Sequence, residues 1–445
     1  MIKDTFIKPD RETKLETKGG NYFVSNYPPF SFWNEEDLPC VESMLNSPTP
    51  GSAPMGIYYH VPFCRKRCHF CYFRVYTDKN SSDVRRYLSA TMREFEKYAD
   101  SPYLKGRMPK FVYFGGGTPS YLSAQQLTEL TNRMKDIMPW SEAEEVTFEC
   151  EPGTLSEKKL QAIKNFGVTR LSLGVENFND HILETNGRAH RSKEVFNAFK
   201  YARSLGFENL NLDLIAGMLG ETDGNWSDCI DRTIQLSPDC VTIYQMEVPF
   251  NTTIFKNMKE QGKISAPVAD WPTKRRWVSE AFARLEEAGY TITSTCTAVK
   301  NPQKTKFIYR DRLWSGADMV ALGVASFGHL GGIHYQNLTH FDQYCQAMED
   351  GASTLRRALL TTQEERFIRE LILQWKLGRV RPSYFLEKFG IQLHERFSSI
   401  FEIWKKSGDL IVGEDELVLS RDALLRVDSK LHELFLPQHR DSRYV

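Results

Sequence analysis

The pattern of hydrophobic and polar positions divides the chain into three stretches. Residues 1–54 are polar and then rich in aromatic residues and proline, so we predict an N-terminal arm with little regular structure that ends in a linker. Residues 55–350 alternate short apolar runs with amphipathic segments. Residues 351–445 are mainly helical and include a hairpin, DLIVGEDELVLS, which predicts a helical, winged-helix-like C-terminal domain.

The middle stretch contains the strongest structural signal. Its six β-rich runs are GIYYHV, KFVYFGG, EVTFEC, RLSLGV, LNLDLIAG and CVTIYQM. Between them, apolar residues recur every three or four positions, as in SSDVRRYLSATMREFEKYA, which is the period of an amphipathic helix. Alternating strands and helices form parallel βαβ units. We therefore predict an α/β fold, a partial (β/α)6 barrel with a barrel-closing extension up to residue 350.

Composition and charge exclude several classes of protein. The 445 residues include 57 Lys and Arg against 57 Asp and Glu, and this balance argues against a general nucleic-acid binder. With 41% hydrophobic residues the chain can bury a large core. No apolar run approaches the roughly 20 residues of a membrane span, and the N-terminus lacks the apolar core of a signal peptide. We expect a cytoplasmic protein with no membrane span.

Three of the nine cysteines form a local cluster in the sequence. Cys64, Cys68 and Cys71 have C-x3-C-x2-C spacing directly after the first predicted strand, in the loop where barrel active sites are built. Thiolates this close together can bind one metal centre. On spacing alone, the centre is a [4Fe–4S] cluster with one iron free of protein ligands, or a zinc site completed by His69. Reduced structural cysteines are the third possibility.

Polar or glycine-rich segments follow the next strands. Gly115 to Gly117 end the second strand, where glycines let the backbone approach a ligand closely, although a tight turn would use them too. Glu149, Glu151, Glu176 and Asp213 follow the third, fourth and fifth strands. Carboxylates at the carboxyl ends of barrel strands can hold ribose hydroxyls or an ammonium group.

Taken in order, YYHVPFCRKRCHFCYF, FGGGTP, ECEPGTL, RLSLGVENF and LDLIAGM resemble the radical S-adenosylmethionine (SAM) enzymes of the oxygen-independent coproporphyrinogen III dehydrogenase group. The resemblance covers roughly residues 20–440 and implies a radical SAM barrel. It implies a [4Fe–4S] cluster on Cys64, Cys68 and Cys71, whose open iron binds SAM. A low-potential electron donor such as flavodoxin or ferredoxin would then drive SAM cleavage to a 5′-deoxyadenosyl radical. The residues that match SAM contacts are Tyr58, Phe70, Gly116, Gly117, Thr118, Glu149, Glu176, Arg188 and Asp213.

Two departures from the group's pattern bear on the reaction. The dehydrogenases typically have a fourth cysteine, as C-x-C, where Cys71 is followed by Tyr72 and Phe73, and the group commonly has glutamine at Glu176. Class C radical SAM methyltransferases also lack the fourth cysteine and are thought to bind two SAM molecules. We therefore predict class C-type methylation or alkylation of a small, planar or unsaturated substrate with a second SAM. The alternatives are oxidative decarboxylation of a porphyrinogen in porphyrin biosynthesis, and a heme chaperone.

Three further sets of residues have candidate roles. Arg310 and Arg312 could bind porphyrinogen carboxylates, and His329 and His334 could approach a heme, although both pairs also fit structural roles. The arm could be a packing strap or a substrate lid that shields a radical from water. Its aromatic residues are Tyr22, Phe23, Tyr27, Phe30, Phe32 and Trp33.

Overall fold

The structure is a computed structural model that describes residues 23–49, 51, 53–261, 268–440 and 442. Tyr22, one of the arm aromatics, lies outside the described residues. Within the described part, one sheet has twelve strands and a second has three. The strands are β1 Met55–Val61, β2 Phe111–Gly116, β3 Glu145–Cys150, β4 Arg170–Glu176, β5 Asn209–Ala216, β6 Cys240–Gln245, β7 Thr291–Ser294, β8 Thr297–Val299, β9 Asp318–Leu322, β10 Phe327–Leu330, β11 Ile333–Asn337, β12 Leu355–Leu360, β13 Arg379–Val380, β14 Leu410–Val412 and β15 Leu417–Leu419.

The helices include those predicted between the six β-rich runs. They are α1 Leu38–Leu45, α2 Ser81–Ala99, α3 Ala124–Ile137, α4 Glu157–Asn165, α5 Asp180–Thr185, α6 Ser192–Ser204, α7 Asp223–Leu236, α8 Thr253–Glu260, α9 Trp271–Glu287, α10 Ile308–Trp314, α11 Phe341–Glu349, α12 Gln363–Trp375, α13 Pro382–Phe389, α14 Leu393–Arg396, α15 Ser398–Lys406, α16 Arg421–Leu425 and α17 Val427–Leu434. Short 3-10 turns cover Phe30–Phe32, Pro119–Tyr121, Pro152–Thr154 and Pro437–His439.

The six predicted strands form a continuous parallel array. Strands β1 to β6 lie side by side in chain order, and each crossover between them contains a helix. On the other side of β1, the parallel strand β9 is followed by antiparallel β10, β11 and β12, and at the far edge β6 is followed by β8 and β7. The edge strands β12 and β7 are not paired with each other in the described residues. The fold is thus an open, partial barrel, which confirms the predicted fold class.

Alternation along the strands separates an outer face from the barrel interior. In β1, Tyr59 and Val61 pack into the large core beneath the helices, whereas Tyr58 and His60 project to the opposite face. The helices begin where the sequence offers caps: Asn80 and Asp83 form a reciprocal capping box at the start of α2. The carboxyl ends of six strands therefore open on one side of the molecule.

The C-terminal region has its own apolar core. Helices α12 to α17 surround the small sheet of order β13-β15-β14, and Trp375 and Trp404 are buried between them. This arrangement agrees with the predicted helical, winged-helix-like appendage. The last strand of the main sheet, β12, runs to Leu360, beyond the boundary predicted at residue 350, so the helical unit begins at α12.

The arm is more ordered than the sequence predicts. Helix α1 begins with Pro39 in its first turn, and Asn34 pairs with Ala358 at the edge of the main sheet. The prediction of little regular structure is therefore wrong for residues 34–45. The prolines of the arm predict an interruption of regular structure, but Pro39 lies in the first turn of α1, where proline is well tolerated.

Most described aromatic residues of the arm act as a strap. The Tyr27 hydroxyl accepts a hydrogen bond from the Leu436 amide and lies 2.7 Å from Nδ1 of His439. Trp33 stacks on His334 with ring centroids 5.2 Å apart. Phe23 differs, because its amide donates to Glu247, just past β6 at the open end of the barrel. The described arm thus ties the C-terminal region to the main sheet.

Candidate active site

The loop that carries the three cysteines is fixed at both ends. The Cys64 amide donates to the carbonyl of Tyr76 at 3.1 Å, and the Tyr76 amide donates back to Pro62 at 2.8 Å. In the middle, the His69 amide donates to the carbonyl of Asn186 at 3.0 Å. The loop is therefore held against the end of β1 on one side and the loop after α5 on the other.

The three cysteines are partly buried, and two of their thiols accept hydrogen bonds. The Thr118 hydroxyl donates to Cys64 Sγ at 3.3 Å, and Nη1 of Arg188 donates to Cys68 Sγ at 3.3 Å. Burial raises the pKa of Cys64 to about 12 and that of Cys71 to about 11, and the neighbouring thiols raise both further. All nine cysteines are free, so no disulfide competes for these sulfurs.

The alternative zinc site has no geometric support. His69 donates from Nδ1 to the carbonyl of Thr185 at 3.0 Å. Among the described residues, no group of three or more His, Cys, Asp or Glu side chains is arranged to hold one metal ion. In a [4Fe–4S] cluster the cysteines bind different irons, so the sulfurs do not need to meet at one point.

The glycine loop at the end of β2 lies directly against β1. Gly116 has a φ of 109°, and a Cβ there would lie 2.6 Å from the imidazole of His60. The Gly117 amide donates to the carbonyl of Val61 at 2.7 Å, and a Cβ on Gly117 would lie 2.9 Å from the same oxygen. Only glycine fits both positions without displacing its neighbours.

His60 is a site residue that the sequence analysis missed. It is buried, its Nδ1 lies 3.3 Å from the hydroxyl of Tyr58, and its Nε2 has no hydrogen-bond partner in the described structure. Burial lowers the pKa of His60 to about 4, so the ring is neutral at pH 7. The sequence contained the information needed to find His60. It lies two positions after Tyr58 in the same strand, so the two side chains point to the same face of the sheet.

Three predicted carboxylates come together inside the barrel. Glu149 accepts a hydrogen bond from the Tyr113 hydroxyl at 2.6 Å, and Asp213 accepts one from Ser172 Oγ at 2.6 Å. Burial raises the pKa of Glu149 to about 7, and the nearby Asp213 and Glu176 carboxylates contribute to this shift. Burial also raises the pKa of Asp213. In all three acids the effect of burial outweighs that of the partners that stabilise the charged form.

Glu176 and Arg188 connect these carboxylates to the cysteine loop. Glu176 has a φ of 63° at an irregularity in β4, which is a strained conformation for a residue other than glycine. Its Oε1 lies 3.5 Å from Nη2 of Arg188, whose other terminal nitrogen donates to Cys68. Burial raises the pKa of Glu176 to about 7, against the lowering effect of Arg188. Nε of Arg188 is buried without a partner in the described structure.

Glu151 has a different role from the other acids. It accepts two hydrogen bonds from Arg65 of the cysteine loop, at 2.8 and 3.1 Å. Burial pushes the pKa of Glu151 upward, but the hydrogen bonds from His190 and Arg65 prevail and hold it at about 2. Glu151 is thus a permanently charged anchor for the loop.

Aromatic side chains surround the open end of the barrel. Tyr72 is 41% exposed, Phe73 48%, Tyr244 40% and Phe250 55%. Asn251 donates to the carbonyl of Tyr72 at 2.8 Å, which joins the loop after β6 to the cysteine loop. Large exposed apolar side chains concentrated in one place mark a binding surface.

The predicted Phe70 lies near this surface but to one side. Its ring packs in a small apolar cluster with Ile182, Met218 and Met246. These residues follow β4, β5 and β6, away from the glycine loop after β2. The structure therefore brings together Tyr58, Gly116, Gly117, Thr118 and the three acids, whereas Phe70 supports the far side of the opening.

Arg310 and Arg312, the predicted carboxylate-binding residues, lie at the wrong end of the barrel. They belong to α10, whose first amides donate to Glu145 at the start of β3. Arg310 is paired with Asp311, and Arg312 with Glu144. Helix α10 covers the amino ends of the strands, opposite the cysteine loop, because the chain returns there before entering β9.

His329 and His334, the predicted heme-facing residues, are buried in the sheet. Their Nδ1 atoms lie 3.0 Å apart, and Nε2 of His334 donates to the carbonyl of Tyr27 in the arm. Trp33 covers the ring of His334. His334 holds the arm and His329 contacts His334, so the prediction that they could approach a heme is wrong for this structure.

Comparison with known proteins agrees with this geometry. The model of the radical SAM superfamily matches residues 58–232, which include all three clustered cysteines and the glycine loop. The chain is 29% identical over 372 residues to heme chaperone HemW of Bacillus subtilis, covering 83% of this chain and 96% of HemW. It is 26% identical over 333 residues to oxygen-independent coproporphyrinogen III oxidase of Escherichia coli, covering 72% of this chain and 71% of that protein.

Residues 58–232 thus form a radical SAM domain, and most of the chain is similar in sequence to HemW and to oxygen-independent coproporphyrinogen III oxidase. The solved structure of coproporphyrinogen III oxidase (HemN) from Escherichia coli superposes with a TM-score of 0.80 at 22% identity, over 93% of this chain and 96% of HemN, which establishes the common fold. The radical SAM domain implies a [4Fe–4S] cluster and SAM as cofactors. No described helix combines the length and apolar character needed to cross a membrane.

Proposed function

We propose that Cys64, Cys68 and Cys71 hold the [4Fe–4S] cluster of a radical SAM enzyme. The donor set fits, because three thiols share one fixed loop and two of them accept hydrogen bonds from Thr118 and Arg188. Donors of this kind stabilise charge on cluster sulfurs. When bound, the cluster supplies the electron that cleaves SAM to methionine and a 5′-deoxyadenosyl radical.

The SAM site in this proposal lies between the glycine loop and the carboxylates. Gly116 and Gly117 leave room where a Cβ would meet His60 or the backbone of β1, so a ligand can approach the loop closely. Glu149, Glu176 and Asp213 offer acceptors for an ammonium group and ribose hydroxyls. Burial is the main cause of the raised pKa values of Glu149 and Glu176, and a bound cation would offset both this effect and the repulsion between the acids.

His60 and Tyr58 would orient the ligand from the β1 side. The neutral imidazole of His60 has one nitrogen next to the Tyr58 hydroxyl and the other free to bond a ligand atom. Arg188 would keep the Glu176 carboxylate at a fixed distance from Cys68 and so coordinate the two halves of the site. Each of these residues acts by binding and positioning.

For the substrate, we propose a tetrapyrrole, and the similarity of most of the chain to HemW and coproporphyrinogen III oxidase is the observation that carries this choice. The names of both relatives refer to tetrapyrroles, and 96% of HemW is matched. The faces of Tyr72, Phe73, Tyr244 and Phe250 suit a flat, largely apolar ring system. One edge of such a ring would face the open end of the barrel, where SAM would be held.

Methyl transfer is the second candidate reaction, because Tyr72 and Phe73 occupy the place where the dehydrogenases have their fourth cysteine. In that case a second SAM would supply the methyl group to an unsaturated carbon. The relatives favour a dehydrogenase or heme-carrier activity over this reaction. The position of Arg310 and Arg312 leaves both predicted carboxylate contacts of a porphyrinogen unsupported.

One experiment separates these reactions. Anaerobically reconstituted protein is incubated with SAM, dithionite and either coproporphyrinogen III or heme, and 5′-deoxyadenosine, S-adenosylhomocysteine and tetrapyrrole products are measured. We expect tetrapyrrole-dependent 5′-deoxyadenosine together with a modified tetrapyrrole. S-adenosylhomocysteine in addition would assign methyl transfer, and a decarboxylated product alone would assign the dehydrogenase reaction. Stoichiometric heme binding without 5′-deoxyadenosine would contradict the enzyme proposal and favour a carrier.

A further inference from the structure

A basic groove lies outside the barrel, on the helix side of the cysteine loop. Its volume is about 750 Å³, and it lies among the beginnings of α2, α3 and α4. The lining includes Lys79, Lys158 and Lys159 but no aspartate or glutamate. None of the three lysines forms an ion pair within the part of the chain that the structure describes. The groove is therefore a concentrated positive surface on a chain with no net charge.

Only part of the positive charge of this groove is used within the fold. Lys159 donates to the carbonyls of Ser120 and Thr154, and Lys79 lies over the ring of Phe341, whereas Lys158 makes neither kind of contact in the described structure. The capping side chains of Asn80, Ser123 and Ser156 already satisfy backbone amides at the three helix starts. Lys158 projects from the first turn of α4 and is exposed. A lysine in the first turn of a helix opposes the helix dipole, so its placement there has a small cost in stability. An anionic partner would offset that cost.

The groove is connected to the cysteine loop by direct contacts. Lys159 donates to the carbonyl of Ser120, two residues after Thr118, whose hydroxyl donates to Cys64 Sγ at 3.3 Å. The ring of Tyr121, which lines the groove, lies 5.7 Å from that of Phe63, the residue before Cys64. Only a thin layer of protein therefore separates the groove from the first of the three thiols.

A redox protein could not easily reach the cluster through the open end of the barrel during the reaction. SAM and the substrate would occupy the open end of the barrel, where water must be excluded during a radical reaction. A redox protein that delivered electrons there would have to leave before each turnover. The groove reaches the same loop from behind and stays accessible while the open end is occupied.

We propose that this groove docks an acidic, low-potential redox protein that reduces the cluster. The inference rests on the proposed cluster at Cys64, Cys68 and Cys71. Each transfer oxidises the donor by one electron and reduces the cluster by one electron, and no bond is made or broken. Because the groove is basic, we expect its partner to be an acidic protein, whose carboxylates would face Lys79 and Lys158.

The test compares a protein donor with a small reductant that needs no docking surface. The double variant Lys79→Glu/Lys158→Glu is compared with the wild type and with Lys405→Glu/Lys406→Glu, a matched charge reversal on exposed lysines of α15. Binding of a bacterial flavodoxin is measured by calorimetry at low and high salt. Formation of 5′-deoxyadenosine is measured with reduced flavodoxin and, separately, with dithionite.

We expect the groove variant to bind flavodoxin roughly tenfold more weakly at low salt, with a smaller difference at high salt. Its flavodoxin-driven rate at limiting donor should fall in proportion, while its dithionite-driven rate stays at the wild-type level. Lys158→Glu alone, which removes no ring contact, should give a smaller effect of the same kind. Unchanged flavodoxin affinity, an equal loss in the α15 control, or a parallel loss with dithionite would each overturn the inference. Absence of dithionite-driven cleavage in the wild type would instead count against the proposed cluster.

Discussion

The two ends of the parallel strands use the same types of side chain for different purposes. At the amino end, Glu145 accepts hydrogen bonds from the amides of Ile308 and Tyr309 and from Thr147 Oγ1. At the carboxyl end, Glu176 has a single cationic neighbour at 3.5 Å, and Glu149 shares its surroundings with two further acids. Both ends bury carboxylates, but Glu145 at the amino end accepts from three donors, whereas Glu176 at the carboxyl end has only Arg188 beside it in the described structure.

The difference has a physical reason. A buried charge without enough donors destabilises a protein, so such a charge persists where a ligand completes its interactions. The free Nε2 of His60, the unpartnered Nε of Arg188 and the left-handed φ of Glu176 are all at the carboxyl end. Helix α10 closes the amino end, whereas no described helix closes the carboxyl end in the same way. The incomplete end is the one that can take cofactors.

The largest expected effect is the loss of the cluster. Replacing Cys64, Cys68 or Cys71 by alanine should abolish 5′-deoxyadenosine formation, because each thiolate would bind a different iron. Iron and sulfide analysis of anaerobic protein should fall from about four of each per chain in the wild type. Cys40→Ala, a change in α1, serves as the control and should keep both cluster and activity. A full cluster in the triple alanine variant would show that the ligands lie elsewhere.

The glycine loop offers a test with a matched control. Gly116→Ala places a Cβ 2.6 Å from His60 in a residue with positive φ, whereas Gly106→Ala adds a Cβ at a positive φ with no atom within 4 Å. Strain and overpacking together amount to about 3 kcal/mol, so SAM affinity should fall roughly a hundredfold in Gly116→Ala. Gly106→Ala should bind SAM normally. If equilibrium dialysis gave the same SAM affinity for Gly116→Ala and Gly106→Ala, the glycine loop would be a structural turn and not part of the SAM site.

Stability should respond in opposite directions at the two ends. Folding raises the pKa of Glu149 and Glu176 from 4.5 to about 7, so the folded chain holds protons that the unfolded chain releases. The stability of the protein without cofactors therefore falls as pH rises between about 4.5 and 7. Glu149→Gln and Glu176→Gln should each raise the free energy of unfolding at pH 8 by roughly 2 kcal/mol, with little gain at pH 4.5.

Glu145→Gln is the matched change at the amino end. Burial raises the pKa of Glu145 too, although Arg170 and the hydrogen bonds to the carboxylate oppose this shift. Glu145→Gln should lower the free energy of unfolding at pH 8 by about 1–3 kcal/mol, because the glutamine amide cannot accept all the hydrogen bonds that the carboxylate receives. Chemical denaturation of the three variants at two pH values checks both predictions. A loss of stability in all three variants would mean that the carboxylates at the carboxyl end are stabilised by the protein as well as Glu145 is at the amino end.

The smallest effect should come from Arg312. Its ion pair with Glu144 is exposed, so Arg312→Ala should change the free energy of unfolding by less than about 1 kcal/mol. The KM for a tetrapyrrole substrate should not change, because Arg312 lies at the closed end. A rise of tenfold or more in KM would show that substrate reaches α10.

The sequence predicted those features that depend on local pattern. Six apolar runs separated by helical periods were sufficient for the parallel array, and residue spacing was sufficient to find Cys64, Cys68 and Cys71. The errors concern tertiary placement. The side on which α10 returns decides the position of Arg310, and the packing of the arm decides the surroundings of His334. Neither of these tertiary contacts can be inferred from the spacing of residues that are close in the sequence.

The most direct measurement is the binding of isotopically labelled SAM to the reduced protein, observed by electron–nuclear double resonance. SAM labelled in its amino nitrogen and carboxylate carbon should show hyperfine coupling to the reduced cluster in the wild type. The same coupling should be absent in Cys68→Ala. A reduced wild-type protein that binds SAM without any coupling from these atoms would contradict the account.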